Sequence, residues 1–255
     1  MDEFATTNVL ERYKRIQSQT EATKTLIDYG AIVNAEDNEQ KSPLHYAADK
    51  GHIEIIKTLI EHGANINAEE NNKRTPSTLH WASRNGNLEA IKYLVEHGAN
   101  LSVDETLNYK TPLHWVAENS NLEAVKYLVE HGANINAYVI GRYQGTPLHN
   151  AAYYGNAEVV KYLLNHGANV HAEDNVKNTP LQYAAETGHL EAIKYLVEHG
   201  ANVNSEGDYE ETSLHRAALN GNFEAVKYLV GHGANVNAID RLHLTPLWQA
   251  TQNGN

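Results

Sequence analysis

The chain has no cysteine, one methionine, two phenylalanines and six prolines among its 255 residues. Without cysteine it can build no disulfide framework, thiol nucleophile, or thiolate site for zinc or iron–sulfur. Basic residues are also short, with 20 Lys and Arg against 32 Asp and Glu, a formal charge of −12. Affinity for phosphate backbones and anionic lipid comes from basic side chains displacing counterions, so this balance argues against nucleic acid as a partner. No apolar run approaches the roughly 18 residues of a membrane-crossing helix, and Met1-Asp2-Glu3-Phe4 is acidic where a secretory leader would be basic. The expectation is a soluble, cytoplasmic chain with no membrane insertion.

What the sequence does have is a period. His-Gly-Ala recurs with its glycine at Gly63, Gly98, Gly132, Gly167, Gly200 and Gly233, after a first variant at Tyr29-Gly30-Ala31. The spacings from Gly30 onward are 33, 35, 34, 35, 33 and 33 residues. A second marker is Leu-His at Leu44, Leu79, Leu113, Leu148 and Leu214, with Leu181-Gln182 and Leu247-Trp248 as variants. From each of the first six marker leucines to the next marker glycine the distance is always 19. All length variation therefore lies between cassettes, as it would for rigid units joined by adaptable loops.

Each cassette reads as two short helices. Ser42-Pro43, Thr111-Pro112, Thr146-Pro147, Thr179-Pro180 and Thr245-Pro246 pair a capping hydroxyl with a proline whose missing N–H costs nothing in the first turn. The first helix ends about eight residues on, at Gly51, Gly86, Ser120, Gly155, Gly188 or Gly221. The second, such as Leu122 to His131, places Val125, Leu128 and Val129 at helical spacing and stops at the marker glycine. Helices this short are marginal alone, so neighbouring cassettes must stack. Small pairs such as Ala47-Ala48 and Ala151-Ala152 permit close approach, and larger pairs such as Leu59-Ile60 and Leu128-Val129 are expected to supply a continuous core.

Thr-Pro-Leu-His, the double alanine, the mid-cassette glycine and Gly-Ala-Asn-Val/Ile-Asn-Ala together resemble ankyrin repeats, from about Leu10 to Asn255. The resemblance implies an all-α repeat solenoid, in which helix pairs with β-hairpin fingers stack into a curved array. It also implies that the concave face binds other proteins. Residues 1–255 then divide into a capping repeat (1–36), six full repeats (37–69, 70–104, 105–138, 139–173, 174–206 and 207–239) and an incomplete one (240–255). Leu10 to Tyr29 keeps the helix-pair spacing but carries Lys14-Arg15 at the small-pair position, as a water-facing cap would. At the other end, either Trp248 seals the stack or the chain is a piece of a longer enzyme, toxin or channel that it targets or regulates.

Several chemistries compete for the polar residues. The fifteen histidines suggest metal until register assigns five to the Leu-His slot and six to the position before the marker glycine, slots that the resemblance implies are too far apart in adjacent repeats to converge on one ion. Ser42, His45 and Asp49, or Ser213, His215 and Asp208, compose triads on paper, but their hydroxyls stand in or next to the capping slot and no nucleophile elbow surrounds them. The expectation is no enzyme, no cofactor and no metal. The resemblance extends to finger asparagines Asn67, Asn136, Asn204 and Asn237, which match those hydroxylated in eukaryotic ankyrin proteins.

Residues that break the period point to a protein partner. After the Leu-His slot come Tyr46, Trp81, Trp115, Tyr183 and Arg216. Before the mid-cassette glycine stand Arg84, Tyr153 and Tyr154, and the longer fingers add Tyr109, Tyr138, Arg142 and Tyr143. Trp, Tyr and Arg dominate binding hot spots because they join large contact area to a polar handle. The alternative is that the tryptophans only fill spaces between first helices. Acidic fingers, including Glu206, Asp208, Glu210 and Glu211, would steer a partner with a basic surface toward a monomeric module. The near-identical second helices, rich in Asn and Lys, resemble recently duplicated repeats of intracellular bacteria, protists and large viruses, which adds delivery into a host cell as an expectation.

Overall fold

The computed structural model describes residues 3–68, 77–102, 110–139 and 145–252, with side chains from residue 14 onward. Two compact units divide the chain after Leu101. The first holds α1 (Glu3–Asp28), α2 (Pro43–Lys50), α3 (Ile53–Glu61), α4 (Thr78–Arg84) and α5 (Leu88–Glu96). In it α2 packs on α4, while α1, α3 and α5 form a second row. The second unit holds α6 (Pro112–Glu118), α7 (Leu122–Glu130), α8 (Pro147–Tyr153), α9 (Ala157–Asn165), α10 (Pro180–Thr187), α11 (Leu190–Glu198), α12 (Ser213–Leu219), α13 (Phe223–Gly231) and α14 (Pro246–Gln252). There α6, α8, α10, α12 and α14 form one row and α7, α9, α11 and α13 the other.

The cassette logic accounts for these elements. Leu44, Leu79, Leu113, Leu148, Leu181 and Leu214 are buried, each contributing about 1.5–3 kcal/mol before entropy. The small pairs are buried with them, from Ala47-Ala48 to Ala217-Ala218. Of the larger pairs, Leu163-Leu164 is buried as expected, and the others differ. Leu59, Leu94, Leu128 and Leu196 are buried, whereas Ile60, Val95, Val129 and Val197 lie half-buried on the outer side, and Ile56, Ile91, Val125 and Ile193 complete the core instead. At the seventh marker the leucine itself is out: Leu247 is 73% exposed beside Phe223 and Trp248.

The turn between paired helices needs glycine on two counts. Gly51 has φ +66°, and a Cβ there would stand 2.6 Å from the Asn87 side chain of the next cassette. Ser120 takes the same left-handed turn at φ +58° with a side chain present. The N-terminal segment corrects the expectation of a helix pair. Residues 3–28 form one continuous helix, with Ser18 where other cassettes have the mid-cassette glycine, flanked by the helix formers Gln17 and Gln19. Lys14 and Arg15 are exposed on it. The fingers are hydrogen-bonded turns, and a single antiparallel bridge, Val139 with Gly145, is the extent of β pairing among the described residues.

Candidate functional site

The periodic polar residues turn inward, to neighbouring backbone. In the Leu-His slot His149 Nδ1 accepts from Thr146 N–H at 3.0 Å and contacts its hydroxyl at 2.9 Å, leaving Nε2–H to donate to Asn178 O at 3.1 Å. His114 reaches Gly145 O and His215 reaches Leu244 O in the same way, each about thirty residues on. Burial pushes His149 and His45 down to about 4, since a proton on Nδ1 would also displace the donated N–H. Gln182 performs the same task without titrating, accepting from Thr179 N–H and donating to Glu211 O, both at 2.7 Å.

The histidine before each marker glycine closes its helix. His62, His97, His131, His166, His199 and His232 place Nδ1 2.7–2.8 Å from the carbonyl four residues back. Four stack at 3.9–4.0 Å on the half-buried tyrosine that supplies it. Finger asparagines bridge cassettes. Asn136 donates to Gly167 O at 3.2 Å and accepts from Asn169 N–H at 2.8 Å, and Asn67 and Asn204 repeat the pattern. The paper triads are not assembled: Asp49 pairs with Lys50 and Asn85, and His215 with Thr212 and Leu244. Among the described residues no group of three or more His, Asp or Glu is placed to hold a metal ion.

The residue after the Leu-His slot has a structural use that the sequence reading missed. In three fingers an aspartate folds the turn with Oδ1 and receives a side chain from nine residues on with Oδ2. Asp37 accepts from Glu39 and Lys41 N–H and from Tyr46 Oη at 2.6 Å. Asp240 accepts from Leu242 and Leu244 N–H and from Gln249. Asp174 accepts from Val176 and Asn178 N–H and from Tyr183 Oη. Tyr183 is thereby only 1% exposed, so it is a strut beneath the surface. Burial raises its hydroxyl's pKa, and the bond to Asp174 raises it further. Arg216 is likewise 8% exposed, fixed to Glu186 at 2.6 Å and Asn178 at 2.7 Å. Both were expected as contact residues, and both are held inside, Tyr183 by Asp174 of its own finger and Arg216 by Asn178 and Glu186 of the preceding cassette.

The remaining candidates keep surface. In the first unit Tyr46 is 51% exposed, Arg84 is exposed, and half-buried Trp81 lies under Lys41 (4.8 Å) and Arg84 (5.6 Å). In the second, half-buried Trp115 lies under Lys110 at 4.8 Å. Lys110 pairs with Glu118, which also accepts from Asn150 at 3.3 Å and from Tyr154 Oη. Partial burial and that carboxylate push the Tyr154 hydroxyl up to about 12, yet the residue is 46% exposed. Its ring meets half-buried Tyr153 edge-on at 5.2 Å, and Tyr153 meets Tyr183 at 6.0 Å. Tyr138 is exposed at its finger. Tyr109, Arg142 and Tyr143 lie outside the described residues.

Comparison with known proteins follows this geometry. A family model described as ankyrin repeats (3 copies) matches residues 15–70, 68–139 and 138–207, and one described as ankyrin repeats (many copies) matches 196–247. The ankyrin repeat domain of human ASB11, a crystal structure, is similar with a TM-score of 0.77 and 29% identity, over 86% of this chain and 96% of that one. No curated protein matches.

Proposed function

The chain belongs to the ankyrin-repeat family, and on that premise we propose that it is a non-catalytic module holding a partner protein through the aromatic residues its helix rows leave exposed. Ankyrin repeats are in general protein–protein interaction modules. The observation that carries the choice of surface is the cluster of Trp115, Tyr153 and Tyr154. Lys110 and Glu118 fix the rings from one side and Tyr183 supports them from below, so they stay partly exposed without being free to move. Rigid aromatics give up little entropy on contact, which is what affinity from a small surface requires. Tyr46, Trp81 and Arg84 offer the first unit's counterpart. In this reading the module acts as a monomer inside the cell, and its acidic fingers speed the approach of a basic partner.

Trp115→Ala combined with Tyr154→Ala is expected to weaken capture of the native partner from host lysate by at least about tenfold, with the helical circular dichroism unchanged. Undiminished capture by the folded double variant would contradict the proposed face.

A further inference from the structure

Among the described fingers of the second unit, one lacks the turn-folding aspartate. Where Asp37, Asp174 and Asp240 fold their fingers, the corresponding residue nine before Arg216 is Gly207. A Cβ at Gly207 would displace the Asn178 and Gln182 amides from their present positions. Beyond Asp208, Tyr209 and Glu210 take φ +58° and +61°, and Tyr209 O is held by Arg241 N–H at 2.8 Å. The finger thus swings its tyrosine to the surface, 59% exposed, and a cavity of about 400 Å³ opens beneath it. Its charged lining is Glu186, Asp208, Glu211 and Arg216, beside Tyr183 and the apolar Val176 and Leu219, and the volume is in the range of ligand sites.

The charges around this cavity do not balance. Three carboxylates, Glu186, Asp208 and Glu211, face one guanidinium. Arg216 spends Nη1 on Glu186 and Nη2 on Asn178, while its Nε–H, buried in the wall, has no hydrogen-bond partner and stands 3.6 Å from Glu211. The Glu211 side chain is largely buried, with that guanidinium as its ion-pair partner. Burial raises its pKa, Arg216 lowers it, and Asp240, Asp208 and Glu186 raise it again. An anionic ligand would meet three carboxylates, and an apolar one would strip water from them with only Arg216 to compensate. A planar cation satisfies them, because a guanidinium can hydrogen-bond two carboxylates while its face lies on a tyrosine ring.

We propose that this cavity is a socket for one arginine side chain of the partner, received by the Asp208 and Glu211 carboxylates with Tyr209 over it. The inference rests on the protein-binding reading and names the chemistry of one anchor, separate from the Trp115 and Tyr154 cluster.

The test is titration of the 255-residue protein with acetyl-arginine amide, followed by backbone amide NMR, with acetyl-citrulline amide as the uncharged control. Saturable shifts are expected at residues 207–211 and at Arg216 with the arginine compound and not with citrulline. Glu211→Gln leaves the backbone carbonyl bonded to Gln182 and is expected to weaken binding about tenfold, with unchanged amide positions over α8 and α9 reporting an intact fold. Equal shifts with citrulline, unsaturable shifts spread over the exposed carboxylates Glu89, Glu123 and Glu191, or wild-type binding by Glu211→Gln would overturn the socket. The Trp115→Ala, Tyr154→Ala variant is expected to keep arginine binding. Arginine binding absent from a protein that still captures its partner through Trp115 overturns the socket alone, whereas saturable arginine binding with partner capture indifferent to Trp115 and Tyr154 supports the socket and removes the aromatic face.

Discussion

His149 is a titratable ring that the fold holds neutral, between a backbone donor on one nitrogen and a carbonyl of the next finger on the other. It and His45 sit near pKa 4, against about 6.5 in an unfolded chain. Between those values the unfolded chain binds more protons than the folded one, so stability is complete above pH 6.5 and falls as pH drops toward 4. Urea midpoints are expected to decline from pH 7.5 to pH 5, with each such ring responsible for on the order of 2 kcal/mol. Gln182 shows that an amide can fill the slot, so His149→Gln is expected to cost under about 1 kcal/mol at pH 7.5 and to flatten the pH dependence. A variant with the wild-type slope would show that His149 does not carry it. Asparagine works on the same principle. Asn136 uses both ends of its amide between cassettes, so Asn136→Ala is expected to lower the urea midpoint by the equivalent of about 1–2 kcal/mol.

The finger is the element at which burial sets the worth of a fixed geometry. Asp37 and Asp174 make the same three kinds of hydrogen bond, but Asp37 is exposed and Asp174 is buried with Tyr183 against it. Asp174→Ala is expected to cost about 2–4 kcal/mol and Asp37→Ala distinctly less, measured by urea unfolding. Equal costs would mean the turn alone matters. At the helix–helix turn, Ser120→Gly removes a Cβ from the left-handed region but also the hydroxyl that donates to Asn156, and the two effects are expected to offset to within about 0.5 kcal/mol. The two-helix cassette, its caps and the marker glycines were legible in the sequence because each depends on residues within one cassette. The single helix over residues 3–28 was less so, since the spacing of a helix pair survives there without the glycine and the Thr-Pro start that enforce it. The burial of Tyr183 and Arg216 was not legible from their slot at all. It is decided by Asp174, nine residues upstream of Tyr183, and by Asn178 and Glu186, which belong to the preceding cassette of Arg216.

For the whole molecule, repetition separates maintenance from recognition. The periodic His, Asn and Gly hold cassettes together, and the exposed polar and aromatic residues that depart from the period carry the proposed contacts. No helix among the described residues is long and apolar enough to cross a membrane. The −12 charge sets the kinetics of encounter: association with a basic partner is expected to slow by tenfold or more between about 50 and 500 mM salt, while dissociation changes little. Hydrogen exchange of the protein with and without its captured partner tests the central claim most directly. The account predicts new protection at residues 110–118 and 150–154, with the outer second helices 122–130 and 157–165 unchanged. Protection confined to those second helices, with residues 150–154 exchanging as in the free protein, would contradict it.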